Sequence, residues 1–224
     1  LEDLKTYLSL TRLPRRMECF DNSNMQGSDP VASMVCFVDG KPRKSMYKKY
    51  AIKTVIGPDD FASMREILRR RYGRLKKEGA HLPDLIVVDG GKGQLSAAVE
   101  VLEELELMDA VDVIGLAKRL EEVFLPYKKD SILIPKTSPS LRILQQLRDE
   151  AHRFAITFHR EKRSKRTLKS DLTTIPGIGE TTSKKLLRTF GSVQSVRHAS
   201  QTELQEAIGK KMGTRVYEVM QQKR

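Results

Sequence analysis

The sequence predicts a mixed α/β body followed by a small all-α tail, and three observations carry that prediction. The short, continuous apolar run 85–88 reads as a strand buried on both faces, the segment 111–116 reads as another buried strand, and each lies beside a helical pattern. Three segments rich in β-branched and aromatic residues, 17–21, 31–38 and 46–52, are joined by short links and read as an antiparallel meander. Near the end, the turn Pro176-Gly177-Ile178-Gly179 separates two short helical stretches in a region with no strand signal.

Each element follows from local pattern. Asp39-Gly40 followed by Lys41-Pro42 supplies the turn between the second and third strands. A helix is expected over 61–77, with Met64, Ile67, Leu68 and Leu75 on its apolar side and Arg65, Arg69, Arg70, Arg71 and Arg74 around the rest. After the buried strand 85–88 comes a helix over 94–107, then the strand 111–116, then a hairpin over 123–134. A long helix over 140–158 carries the stripe Leu144, Leu147, Ala151, Ala155 and Phe158 and completes a sheet with helices on its faces. The body is read as 1–159, a basic linker as 160–170 and the helical tail as 171–224.

Composition narrows the function classes. The 224 residues include 41 Lys+Arg against 29 Asp+Glu, a formal net charge of +12 that raises the prior for a nucleic-acid partner. The stretch from His159 to Ser170 concentrates six Lys/Arg against one Glu, either a solvated linker or a phosphate-contacting strap. No apolar run reaches the roughly 18 residues that a membrane span needs, so no membrane partner is expected. Cys19 and Cys36 sit in apolar stretches and read as reduced core thiols, which places the protein in the cytoplasm. The first residue is Leu1 and no signal-peptide pattern follows it, so the chain reads as a piece of something longer.

Candidate chemistry lies at strand ends. Asp21 closes the first strand and Asp89 closes the run 85–88, and two carboxylates delivered to one end of an α/β sheet can converge on a cation. Either Asp alone is explained by turn chemistry. His152 lies at the edge of the long helix's apolar stripe, where an imidazole can reach strand ends as a metal ligand or a proton carrier. Asp149 ranks below it, because an ion pair with Arg153 one turn on accounts for that residue. Gly90-Gly91-Lys92-Gly93 lacks the spacing and the Ser/Thr of a Walker loop, so no nucleotide cofactor is expected; Lys92 remains a candidate phosphodiester contact.

The tail carries the most specific local signal. A Pro-Gly-Ile-Gly turn leading into a helix presents backbone N–H groups to one DNA phosphate, the arrangement of a helix-hairpin-helix element. Gly177, Ile178, Gly179, Thr181, Lys184 and Lys185 are its candidate DNA-binding residues. A second, weaker copy reads as a helix over 202–207, a turn over 208–213 containing Gly209, Lys210 and Gly213, and a helix over 214–220. Paired hairpins would hold double-stranded DNA.

Four blocks give a family resemblance: Cys19-Phe20-Asp21-Asn22-Ser23-Asn24 with Gln26-Gly27, Val87 through Gln94, Gly115-Leu116-Ala117-Lys118-Arg119, and Arg148 through Ala155. In this order they resemble the C-terminal half of the UvrC family, the incision component of the bacterial excinuclease ABC. The resemblance implies an RNase H-like endonuclease domain joined to a tandem helix-hairpin-helix domain, which cuts damaged DNA on the 5′ side of a lesion in nucleotide excision repair. It also implies that the acidic pair falls on Asp21 and Asp89, the histidine on His152 and a further acid on Asp60, although an N-cap accounts for one of Asp59 and Asp60. The implied cofactor is Mg2+ or Mn2+ held by Asp21 and Asp89, with His152 beside it. The implied partner, besides damaged duplex DNA, is the excinuclease's helicase-like damage-loading protein (UvrB), engaged through the full-length protein. This sequence departs from the family in its second hairpin, which lacks the Pro-Gly-x-Gly form, and it does not include the family's N-terminal nuclease domain.

Two other readings compete. One is a DNA-binding scaffold whose acids serve turns and caps, and it gives no reason for Asp21, Asp89 and His152 to meet. The other is an RNase H-like nuclease that acts on a different nucleic-acid structure.

Overall fold

A computed structural model of the chain describes residues 1–23, 31–55, 57–117 and 122–222, with backbone alone for residues 23, 159–171 and 222. The blocks' Asn24, Gln26, Gly27, Lys118 and Arg119 lie outside the described residues. The chain divides into two compact units, Leu1–His159 and Arg160–Arg224.

In the first unit the order is α1 (Glu2–Leu8), β1 (Arg16–Ser23), β2 (Val31–Val38), β3 (Lys41–Pro42), a 3-10 turn (Lys44–Met46), β4 (Lys48–Ala51), α2 (Asp60–Glu78), β5 (Leu85–Asp89), α3 (Lys92–Glu104), β6 (Asp112–Leu116), β7 (Glu122–Phe124), β8 (Ile132–Leu133) and α4 (Pro139–Thr173). Among the described residues the strands form one mixed sheet in the order β3-β2-β1-β5-β6-β7-β8, with β4 beside β2. β1 is antiparallel to β2 and parallel to β5, and β5 is parallel to β6.

Pleating sorts the strands into two layers. Phe20, Ile86, Val88 and Val113 point to one face, where they pack with Met64, Ile67, Leu68 and Tyr72 of α2 and Leu95, Ala98, Val101 and Leu102 of α3. Met17, Cys19, Leu85, Val87 and Ile114 point to the other, against Leu4 and Leu8 of α1 and Leu141, Leu144, Leu147 and Ala151 of α4. Coverage on both sides is why β5 is apolar without alternation. A buried charge cluster joins β1 to α2. Glu18 is fully buried and accepts from Arg16, from both Nε (2.6 Å) and Nη2 of Arg71, and from the Tyr72 hydroxyl at 3.0 Å. Burial alone would push the Glu18 carboxyl up, but the hydrogen bonds and charge of Arg71, with those of Arg16, hold it below its ordinary value.

The structure revises several expected boundaries. The third strand starts at Lys48, because Lys44–Met46 forms a 3-10 turn. The hairpin shrinks to Glu122–Phe124 and Ile132–Leu133. α3 begins two residues earlier than the pattern suggested and ends at Glu104, ahead of Glu106, whose φ is +55°. The largest change concerns the basic stretch 160–170, read as a linker, whose backbone continues α4 as helix to Thr173. No Gly or Pro lies between Leu141 and Ile175, and Lys, Arg and Glu are strong helix formers, so nothing in that stretch stops the helix. Its side chains lie outside the described residues.

In the second unit, α5 (Glu180–Phe190), α6 (Val193–His198), α7 (Gln201–Ile208) and α8 (Lys210–Gln222) follow the end of α4. Leu172, Ile175, Ile178, Leu186, Val196, Leu204, Val216 and Met220 form their common core.

Candidate metal centre

Parity and register place the acidic pair. Residues 17, 19 and 21 of β1 and 85, 87 and 89 of β5 share the α4 face, and the parallel register Cys19↔Val87, Phe20↔Val88 continues to set Asp21 beside Asp89. Both are therefore delivered side by side at the C-terminal ends of neighbouring parallel strands. α4 supplies the third group. Its stripe packs Ala151 on the sheet, which leaves His152 at the edge, where Nδ1 lies 3.0 Å from Asp21 Oδ2. One donor atom from each of Asp21, Asp89 and His152 falls within 4.8 Å of the others. The carboxylates are 3% and 7% exposed while the His152 side chain is 48% exposed, so the group opens to solvent on the histidine side.

A second contact fixes this geometry. Ser33, paired with Asp21 across β1 and β2, is fully buried and donates from Oγ to the Ala151 carbonyl at 3.0 Å, which ties α4 to the sheet one residue before His152. A single hydroxyl in the otherwise apolar run 31–38 was the signal that could have exposed Ser33 in the sequence, because a buried hydroxyl needs a partner. The Cys19 thiol lies under the pair on the same face and is pushed well up by burial, then by the charges of Asp89 and Asp21, so it stays neutral and packs as an apolar group. Cys36 is likewise free and buried.

The remaining candidates are placed as follows. Asp60 stands outside the three-residue group; it opens α2, its carbonyl accepts from Asn22 Nδ2 at 2.8 Å, and Asp59 is the N-cap, accepting from Ala62 N at 2.8 Å. Asp149 is exposed and pairs with Arg148, while Arg153 pairs with Glu150 rather than Asp149. Lys92 is exposed in the first turn of α3, where its ammonium donates to the Lys129 carbonyl and lies 5.6 Å from the Phe124 ring centre. Gly93 is explained by packing, since a Cβ there would lie 2.5 Å from the Phe61 ring.

In the tail, Gly177, Gly179, Thr181, Lys184 and Lys185 are exposed at the start of α5, with Gly177 at φ +88° and Gly179 as the N-cap. The Ile178 side chain is buried in the tail core, so only its backbone can face a ligand. The second hairpin differs from the expected turn over 208–213. Gly209 alone makes the turn, at φ +89°, and α8 begins at the exposed Lys210. Gly213 is inside α8, with its N–H bonded to the Gly209 carbonyl, and a Cβ there would lie 2.6 Å from the Leu204 carbonyl carbon. Its glycine serves the close crossing of α7 and α8 and exposes no backbone donor. Arg215 of α8 donates to the Pro176 carbonyl at 3.0 Å and braces the first hairpin's turn.

Comparison with known proteins agrees with this architecture. Residues 5–156 match the model of the UvrC RNase H endonuclease domain, and residues 169–221 match that of the SAM-like helix-hairpin-helix tandem. The chain belongs to the UvrC RNase H endonuclease domain family. It is 59% identical to the UvrABC system protein C of Chlorobium chlorochromatii over 97% of this chain and 34% of that protein. It is 53% identical to that of Porphyromonas gingivalis over 96% of this chain and 36% of that protein. The chain thus spans about a third of the length of the UvrC relatives it matches. Among solved structures, human ENDOV aligns at 17% identity and a TM-score of 0.36, over 53% of this chain and 56% of that one. The fold is the RNase H-like mixed sheet flanked by helices, followed by the helical hairpin region. No helix among the described residues is long and apolar enough to cross a membrane.

Proposed function

We propose that the chain is the incision unit of a UvrC-type excinuclease: a metal-dependent, cytoplasmic DNA endonuclease that hydrolyses a phosphodiester on the 5′ side of a lesion during nucleotide excision repair. The observation that carries this is the convergence of Asp21 and Asp89 from adjacent parallel strands with His152 from α4. A scaffold has no need to bring two buried carboxylates and an imidazole together.

The donor set fits a hard divalent ion. Two carboxylates suit Mg2+, and the imidazole nitrogen makes Mn2+ an equally good occupant. Such an ion would offset charge on the scissile phosphate and help to ionise the attacking water. The chain's own residues do the rest. An ionised carboxylate only accepts hydrogen bonds, so Asp21 Oδ2 accepts one from the Nδ1–H of His152, which leaves Nε2 as the atom that can take a proton from water. The other Asp21 oxygen, together with Asp89, would hold the ion. Ser33, through Ala151, keeps the imidazole at that distance. The products are a 3′-hydroxyl and a 5′-phosphate. Asp60, at the start of α2, would contact the ion's waters, and Lys92, at the start of α3, would contact the DNA backbone.

Duplex DNA is held by the tandem hairpins. Backbone N–H groups at the starts of α5 and α8, each following a glycine of positive φ, meet phosphates, and Lys184, Lys185 and Lys210 add charge. In the full-length protein the helicase-like damage-loading partner delivers the substrate, and no nucleotide is consumed here.

Asp89→Asn tests this reading. With Mn2+ and a duplex carrying a bulky adduct, incision falls below detection while the affinity for DNA is kept. A variant that cuts as fast as the parent chain refutes the assignment.

A further inference from the structure

A row of three residues crosses the sheet on the α4 face. Asp21 pairs with Ser33 across β1 and β2, and Ser33 pairs with Lys49 across β2 and β4. Side chains at directly paired positions point the same way, and the Ser33 hydroxyl bonded to the Ala151 carbonyl shows that this way is toward α4. At about 4.8 Å per strand, Lys49 stands about 10 Å from Asp21 along the row. Its ammonium is held there. Nζ lies 5.3 Å from the Phe154 ring centre and 5.2 Å from that of Phe158, and Tyr47 packs edge-on against Phe154 at 5.2 Å. Two aromatic faces fix the direction of a flexible side chain on a residue that stays exposed. The adjacent Lys48 pairs with Met34, a residue of the opposite core, and so belongs to the other face.

We propose that Lys49, clamped by Phe154 and Phe158, binds a backbone phosphate of the strand being cut, next along the chain from the phosphate at Asp21 and Asp89. The arrangement sets a fixed positive point across the sheet from the two carboxylates that would hold the ion, a second anchor for the strand that lies over them. The partner is defined by charge and spacing alone, so the contact is independent of sequence. This rests on the endonuclease reading above.

The test is single-turnover incision by the whole chain in Mn2+ over a series of salt concentrations, comparing Lys49→Gln, Lys49→Arg, Lys48→Gln and Asp89→Asn. Lys49→Gln should raise the half-saturating concentration and flatten its logarithmic salt dependence by about 0.7 to 0.9, the contribution of one lost phosphate contact. Its rate at saturation should stay unchanged. Lys49→Arg should restore both values, and Lys48→Gln, which removes the same charge from the other face, should resemble the parent chain. If Lys49→Gln loses thermal stability but keeps the parent salt dependence, the clamp is structural and the proposal is overturned. Equal effects of Lys48→Gln and Lys49→Gln also overturn it, because bulk charge then suffices. An active Asp89→Asn variant, or a parent chain that cuts nothing, overturns the endonuclease reading and this inference with it; an inactive Asp89→Asn beside an unaffected Lys49→Gln overturns this inference alone.

Discussion

Gly213→Ala separates two roles for the second hairpin's glycine by the sign of its effect. If Gly213 only lengthened a turn or an ordinary helix, alanine would stabilise α8 by about 1 kcal/mol through better helix propensity. The structure predicts the opposite. An added Cβ would lie 2.6 Å from the Leu204 carbonyl carbon, where ordinary contact begins near 3.4 Å, so α7 must shift by most of an ångström. The obstacle is helix backbone, which cannot rotate away as a side chain can, so the overpacking cost belongs near about 3 kcal/mol. Set against the propensity gain, the net loss is about 2 kcal/mol, and amide hydrogen exchange reads it within the tail. Protection at Leu204 and Val216 should fall by about thirtyfold, with DNA affinity reduced, while the amides of β5 in the other unit exchange as before. Rising protection in α7 and α8 would refute the close-crossing argument and return Gly213 to the turn.

Two further predictions follow from the body. Glu18→Gln leaves Arg71 charged in a site where its side chain is 9% exposed, and should cost about 3–5 kcal/mol, read as a fall in melting temperature of about 2–4 °C per kcal/mol; a loss under about 1 kcal/mol would contradict the buried-pair account. Glu66 anchors the segment before α2. Burial opposes its charge, but the N–H and hydroxyl of Thr54, the N–H of Lys53 and the guanidinium of Arg70 bring its carboxyl down from 4.5 to about 2. Its contribution is therefore complete above pH 4.5 and lost as the pH falls toward about 2, so melting curves of the parent should lose stability over that window more steeply than those of Glu66→Gln. Identical acid limbs would contradict the assignment.

Part of the candidate site was legible because two of its three residues stand at strand ends. Asp21 and Asp89 each have a local turn explanation, and only the pairing of β1 with β5, a contact between distant segments, makes them neighbours. His152 was visible as an edge position on an apolar stripe, yet its partner was not, since a helical pattern gives the direction of a side chain and not what it meets. Ser33 and Lys49 went unread for the same reason: their roles depend on register across β2 and β4. α1 carries only Leu4 and Leu8 as buried anchors, too short a pattern to stand out before the α4 face is known. The extension of α4 through 160–170 went unread, because high charge drew attention away from a stretch in which every residue tolerates a helix. The second hairpin lacked the Pro-Gly-x-Gly form, and its likeness to the first lies in backbone conformation, with Gly177 at φ +88° and Gly209 at φ +89°.

The proposed incision depends on a divalent-metal site formed by Asp21, Asp89 and His152. Crystals of the chain soaked in Mn2+ and measured near the manganese absorption edge test it most directly. An anomalous peak bounded by the carboxylates of Asp21 and Asp89 with the His152 imidazole beside it is expected, and it should be lost in Asp89→Asn crystals. Manganese bound elsewhere on the chain, with the two carboxylates turned apart and no peak between them, would contradict it.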